Sequence, residues 1–205
     1  MLLLDAFLPR HVRAERALAV SPEILSELIA PVSLPKMKWV HALFPYRDER
    51  VRAIIQAVKY YGERQVVETV APFAADYITE LIDQKQRFEG WERISIVPIP
   101  SSPKRFRERG YNQAAFFAKR IAEQVTDATY DGTLLVRGER TSQVHVPRSE
   151  RKSNMRSAFT AHSRARDGFF ILIDDVVESG ATLEDARRAL KEAGARDVLA
   201  VAMAH

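Results

Sequence analysis

In "FFILIDDVVESGAT", residues 169–182, a run of bulky apolar residues ends directly in Asp174 and Asp175. Two adjacent carboxylates leaving a buried strand cannot both point into the interior, because an unpaired charge there is severely desolvated. At least one must therefore face a site. Glu178, Ser179, Gly180, Ala181 and Thr182 follow as a turn that opens a helix. Gly180 permits close backbone approach, Ser179 and Thr182 offer hydroxyls, and the free N–H groups and dipole of a first helical turn favour a phosphate. The aspartates suit neighbouring hydroxyls or a metal. The plain alternative is that one aspartate caps a turn and Thr182 caps the helix, a common use of these residues.

The rest of the chain bounds what such a site could be. At 205 residues and 46% hydrophobic composition it has enough material for a sizeable core, as one medium domain or a core with an appendage. It contains no cysteine, which excludes disulfides, thiolate zinc sites, iron–sulfur clusters and a cysteine nucleophile. "MLLLDAFLPR" is too short to span a bilayer and is broken by Asp5 and Pro9, so a soluble, cytoplasmic protein with no membrane partner is expected. The formal charge is only +4, but residues 137–166 carry eight Lys or Arg against Glu139 and Glu150, a local +6. That excess suggests an anionic partner, either small-molecule phosphates or a nucleic-acid backbone, with a solvated basic loop as the plain alternative.

The periodicities supply the elements that would position these residues. "SPEILSELIA" predicts a short helix capped by Ser21 with Pro22 in its first turn. Val51, Ile54, Ile55 and Val58 trace a helix face, and Val66, Val70, Tyr77, Ile78 and Leu81 continue the pattern, with Pro72 expected to kink it or begin a new helix. The first 85 or so residues thus read as mainly helical. "ISIVPIP" then reads as a buried strand ending in a turn, Tyr111 to Val125 as a helical stripe, and "TLLV" as a candidate strand before the long basic loop. "FFILI" is the next strand, "TLEDARRALKEAG" the next helix and "DVLAVAMA" the last strand. This alternation predicts an α/β fold with a twisted, mainly parallel sheet flanked by helices, over residues 91–205, preceded by a mainly helical region over 1–90. Ligands of open α/β sheets collect at the carboxyl ends of the strands, where residues 174–182 lie.

"ILIDDVVESGAT" resembles the phosphoribosyl pyrophosphate signature of type I phosphoribosyltransferases, with Glu178 where many members carry Thr. Three further segments resemble the ComF/GntX-like family of these proteins: "VPIPSSPKRFRERGYNQA" at 97–114, "RTSQVHVPRSERKSNMRSAF" at 140–159 and Lys59 in "VKYYGE". Together they span roughly residues 44–203. The family's N-terminal cysteine pairs have no counterpart here, so no zinc is expected.

The resemblance implies a type I phosphoribosyltransferase-like core. Asp174 and Asp175 would hold ribose hydroxyls and stabilise positive charge at the reacting carbon, and Glu178 would either accept a proton or face solvent. Ser179, Gly180, Ala181 and Thr182 would hold the 5-phosphate. The turn at Pro98, with Arg109 and Asn112 at the start of the following helix, would serve the pyrophosphate. Gln143, Arg151 and Asn154 would sit in a flexible basic loop closing over the donor to exclude water. Magnesium would bridge pyrophosphate and sugar oxygens, with no direct protein ligand expected.

Three readings follow. The first is an enzyme that transfers ribosyl phosphate from phosphoribosyl pyrophosphate to an acceptor. The second is a non-catalytic ligand sensor acting in DNA uptake, contacting single-stranded DNA or a helicase partner. The third is an α/β domain with a relict motif.

Overall fold

The computed structural model describes residues 10–138 and 158–205. Its centre is a six-stranded sheet in the order β1-β2-β8-β7-β3-β4. These strands are β1 (Val32–Leu34), β2 (Met37–Phe44), β3 (Ile94–Pro98), β4 (Ala128–Tyr130), β7 (Phe169–Val176) and β8 (Asp197–Ala204). Only the β1 and β2 pair is antiparallel; every other pairing is parallel. The mainly parallel α/β architecture expected from the alternation of elements is therefore present.

β7 is apolar at every position from Phe169 to Ile173 because it is covered on both faces. Side chains alternate across a strand, and here Phe169, Ile171 and Ile173 enter one core while Phe170 and Leu172 enter the other. The first core is covered by α3 (Glu49–Gln56), α4 (Arg64–Glu89) and α6 (Gln113–Ala122). The second is covered by α7 (Ala181–Glu192) and by a small antiparallel sheet of β5 (Leu135–Arg137) and β6 (Phe159–Ala161). β5 is the strand expected at "TLLV", but it pairs with β6 rather than with the main sheet.

Residues 32–44 depart from the helical expectation. "MKWVHALF" forms β2, with Val40, His41 and Ala42 in parallel register with Ala200, Val201 and Ala202 of β8. Its aromatic and β-branched residues suit a pleated, buried surface, and the partner that selects the strand lies more than 150 residues away in sequence. The main sheet thus draws strands from both sides of residue 90. The other N-terminal elements are helical: α1 (Arg10–Leu18), α2 (Pro22–Leu28), α3 and α4. Ser21 caps α2 as expected, its Oγ accepting from the N–H of Ile24. Pro72 neither ends nor restarts α4, because buried residues from Val66 to Ile82 flank it on both sides and hold one continuous helix in the core. No helix among the described residues is long and apolar enough to cross a membrane.

Candidate functional site

α6 follows β3 and α7 follows β7, and the two helices lie on opposite faces of the sheet. Their N-termini meet at the carboxyl ends of these neighbouring parallel strands, and a cavity opens there. Asp174, Asp175, Glu178, Ser179, Gly180 and Thr182 all line it.

The turn between β7 and α7 is shaped by Gly180, whose φ of 76° lies in the left-handed region. Gly180 occupies the N-cap of α7 and supplies no side-chain cap. The N–H of Glu184 reaches Gly180 O, so the preceding amides have no intrahelical acceptor. One of them, on Ala181, makes a long 3.4 Å contact to Ser179 Oγ. The result is an uncapped helix N-terminus opening onto the cavity, which suits an anion. The turn is tied down by the N–H of Val177 donating to Ala204 O at 3.0 Å, and by His205 Nδ1, 2.9 Å from Val177 O.

Both aspartates bond locally. Asp174 Oδ1 accepts from the N–H of Asp175 at 2.9 Å, and Asp175 Oδ1 accepts from the N–H of Val176 at 2.8 Å. Burial and, next, the neighbouring Asp175 carboxylate push the Asp174 carboxyl up to about 8, with Lys59 acting in the opposite direction. A carboxyl in that state holds a proton that an incoming cation or hydroxyl group can displace or share. Tyr46, just beyond β2, is within electrostatic reach of Tyr60, Asp175 and Glu178; burial first, and then these neighbours, push its phenol up.

Lys59 sits in a single π-helical turn, Ala57–Tyr61, that ends at Gly62 in the left-handed region. Such turns insert one extra residue and re-aim the side chains around them. Ala57 and Val58 stay in the core while Lys59 lines the cavity. The joint between α5 (Pro103–Arg109) and α6 packs on this turn: the Arg109 guanidinium lies 5.3 Å from the Tyr60 ring centroid. A Cβ on Gly62 would stand 3.2 Å from the Tyr111 ring. Gly62→Ala is expected to cost about 1–2 kcal/mol through its positive φ. A urea denaturation series should register that loss.

The structure assigns different work to several residues expected in the site. Pro98 ends β3 in register with Ile173, and it is the next residues, Ile99 to Ser101, that line the cavity. Asn112 lines the cavity but uses its side chain to brace that turn: Nδ2 donates to Ile99 O, and Oδ1 accepts from Ser101 Oγ, both at 3.0 Å. Arg109 is engaged with Tyr60, and Arg105 of the same helix reaches the cavity in its place. Ala181 contributes helix backbone. Gln143, Arg151 and Asn154 lie outside the described residues.

Cavity residues that sequence reasoning passed over are Ser101, Gln113 and Arg137. Their signals were present: Gln113 closes the quoted "RGYNQ" and Arg137 begins the basic segment. Arg137 stacks over Phe159 and donates from Nη1 to Pro100 O at 3.3 Å. Residues 138 and 158, on either side of the undescribed part of that segment, are joined by the N–H of Gly138 donating to Ala158 O. The N–H of Ala158 donates in turn to Asp185 of α7 at 2.7 Å. The two flanks of the undescribed stretch are thus tied to each other and to α7, with Arg137 at the cavity.

No protein-family model matches the chain. It is 26% identical to the competence protein ComFC of Streptococcus pneumoniae over 157 residues, covering 77% of this chain and 64% of that protein. It is likewise 26% identical to ComFC of Bacillus subtilis over 153 residues, covering 75% and 58%. A DNA utilization protein, YhgH, of Salmonella typhi is 29% identical over 104 residues, covering 50% and 45%. The chain thus spans roughly half to two thirds of the length of these curated relatives. Among solved structures, a glutamine phosphoribosylpyrophosphate amidotransferase from B. subtilis overlaps 72% of this chain and 30% of its own, at 15% identity and a TM-score of 0.43. In the order of its motifs and in these sequence relatives, the chain is similar to ComFC-type competence proteins.

Proposed function

We propose that this chain binds phosphoribosyl pyrophosphate together with magnesium and transfers its ribosyl phosphate to an acceptor. The observation that carries the reading is the convergence, in one cavity, of an uncapped helix N-terminus, the Asp174 and Asp175 pair and the cations Lys59, Arg105 and Arg137. An anionic sugar with hydroxyls between its charged ends needs each of these.

The first turn of α7, with Ser179 and Thr182, holds the 5-phosphate through backbone N–H groups and hydroxyls. Asp174 and Asp175 accept hydrogen bonds from the ribose hydroxyls, and their negative charge stabilises the positive charge that develops at the reacting carbon. Lys59, Arg105 and Arg137 offset the charge of the leaving pyrophosphate. Glu178, exposed at the rim, is placed to accept a proton from an incoming nucleophile.

Magnesium suits this donor set. Asp174 is desolvated and crowded by a second carboxylate, which a divalent cation would relieve. No cluster of three or more His, Cys, Asp or Glu among the described residues could hold a metal by itself, so substrate oxygens and water would complete its shell, as magnesium prefers. When bound it would supply neutralisation of the pyrophosphate charge.

The printed names of the relatives, a competence protein and a DNA utilization protein, favour a second reading in which the same site senses its ligand within DNA uptake, without turnover. The +6 basic segment, of which Arg137 lines the cavity, would then meet single-stranded DNA or a helicase partner.

Calorimetric titration with phosphoribosyl pyrophosphate and magnesium tests the shared ligand: saturable binding is expected, and none by a folded sample refutes both readings. Release of pyrophosphate in the presence of candidate acceptors separates them. Fluorescence anisotropy on single-stranded DNA should show an affinity that weakens with salt if the second holds.

A further inference from the structure

The chain leaves the sheet at Ser101 and enters α6 at Asn112, and these two points are pinned together: Ser101 Oγ donates to Asn112 Oδ1 at 3.0 Å. Residues 102–111 are thus an excursion closed at its base. Its helix, α5, buries no residue, starts on the Ser102 cap and stops at Gly110, whose φ of 80° lies in the left-handed region. Phe106 on it is 52% exposed. A helix this short, with no buried apolar face, has little to hold it against the body.

What does hold it is a seam with residues 60–62. The Arg109 guanidinium lies over the Tyr60 ring, itself 59% exposed, and the Tyr111 ring stacks on Phe116 and lies against Gly62. Arg109 Nη1 and Tyr111 Oη are buried in this seam, and neither has a hydrogen-bond partner among the described residues. Buried polar atoms are nearly always paired, and opening the seam returns both to water, which offsets what the ring contacts contribute. The closed seam is therefore weakly held. Arg105 stands one turn before Arg109 on α5, and Lys59 precedes Tyr60 on the π-turn, so the one contact also sets the separation of two cations of the cavity.

We propose that residues 102–111 are a flap, latched by Arg109 on Tyr60, that opens to admit an anionic ligand and closes on it. Arg109 and Tyr60 are positioning residues, acting on the ligand through Arg105 and Lys59. The latch is made alike in the closed free protein and in the complex, so it governs how often the cavity opens and hence rates, with little effect on affinity. The identity of the ligand rests on the donor reading above; the opening of the flap does not.

Two measurements on the full chain test this. Hydrogen exchange followed by mass spectrometry reads the amides of α5 that are hydrogen-bonded in the helix, such as Phe106 and Gly110. Phosphoribosyl pyrophosphate or inorganic pyrophosphate, each saturating and with magnesium, should slow their exchange about fivefold or more. Stopped-flow fluorescence reads the rates, from a dye on the exposed Lys104→Cys in a chain that has no other cysteine. Tyr60→Leu should speed exchange in free α5, ligand association and ligand dissociation by about two- to fivefold each, the weight of one exposed cation–π contact, with the affinity nearly unchanged. Tyr60→Phe keeps the ring and should match wild type. Tyr111→Phe removes an unpaired buried hydroxyl and should slow both rates.

Rates equal in Tyr60→Leu and wild type, or an affinity lost with association unchanged, would overturn the flap and leave the donor reading standing. So would calorimetric binding without protection of α5. If phosphoribosyl pyrophosphate does not bind while pyrophosphate shows the expected pattern, the donor reading falls and the flap stands. If neither binds, both fall.

Discussion

Asparagine at both 174 and 175 is expected to weaken phosphoribosyl pyrophosphate binding by at least about 100-fold, while making the free protein more stable above neutral pH. The loss follows from removing two charged acceptors at roughly 1.5–3 kcal/mol for each hydrogen bond to a charged group. The gain in stability follows from Asp174, whose carboxyl is pushed up to about 8 by burial and by Asp175. Between its ordinary value near 4 and about 8, the folded protein holds this proton more tightly than the unfolded chain does. Stability from this group is therefore present at low pH and is lost as pH rises through that window, by at most about 1.4 kcal/mol per pH unit. Asparagine removes the dependence.

Melting curves of wild type and Asp174→Asn between pH 6 and pH 8 should accordingly diverge, with the variant increasingly the more stable. Parallel curves would show that Asp174 is ionised throughout, and with them would go the view of this carboxyl as a group awaiting a ligand. The same proton couples to binding. A ligand or cation that prefers the carboxylate must displace it, so affinity should rise with pH until about 8 and then level, which calorimetry in buffers of different ionisation enthalpy would detect as proton release.

The second large effect belongs to Gly180. At φ 76°, a side chain there adopts a left-handed conformation that costs about 1–2 kcal/mol, and its Cβ would overlap the end of Met37 from β2. Gly180→Ala should thus lower the melting temperature by about 2–8 °C for a chain of this size. Binding should suffer more than stability, because Gly180 also sets the direction in which the amides of α7 face the cavity. A fall in ribose 5-phosphate affinity of roughly tenfold or more is expected, the weight of one charge-assisted hydrogen bond. A variant that melts lower but binds normally would mean that the α7 N-terminus is not the phosphate site.

The local signals read most directly from sequence are those whose cause is itself local. Ser21 before Pro22 marks the start of α2 because a cap and a preset φ act within one turn. The same chemistry, Ser102 before Pro103, starts α5 over "PKRFRER", with Ser102 Oγ accepting from the N–H of Arg105 at 3.2 Å. That stretch read only as a basic turn, since α5 buries no residue and shows no apolar stripe to betray it. β2 and the short β4 were missed for the opposite reason: each is fixed by a neighbour far away in sequence, β8 and β3 respectively.

By itself, then, the sequence determined the parallel α/β core, the rim at Asp174 and Asp175 and the turn around Gly180 that opens α7, because strand burial, charge desolvation and left-handed glycine turns are decided within a few residues. Tertiary structure alone decided which cations and amides face that rim. It brought in Lys59 on a π-turn, Arg105 in place of Arg109, and Arg137 and Gln113 from two other elements, and it showed that Asn112, at the cavity wall, braces the turn after β3. Those assignments depend on how α5 and α6 pack against residues 57–62 and on where the sheet ends, and such distances are set by the packing of elements that no local run of residues specifies.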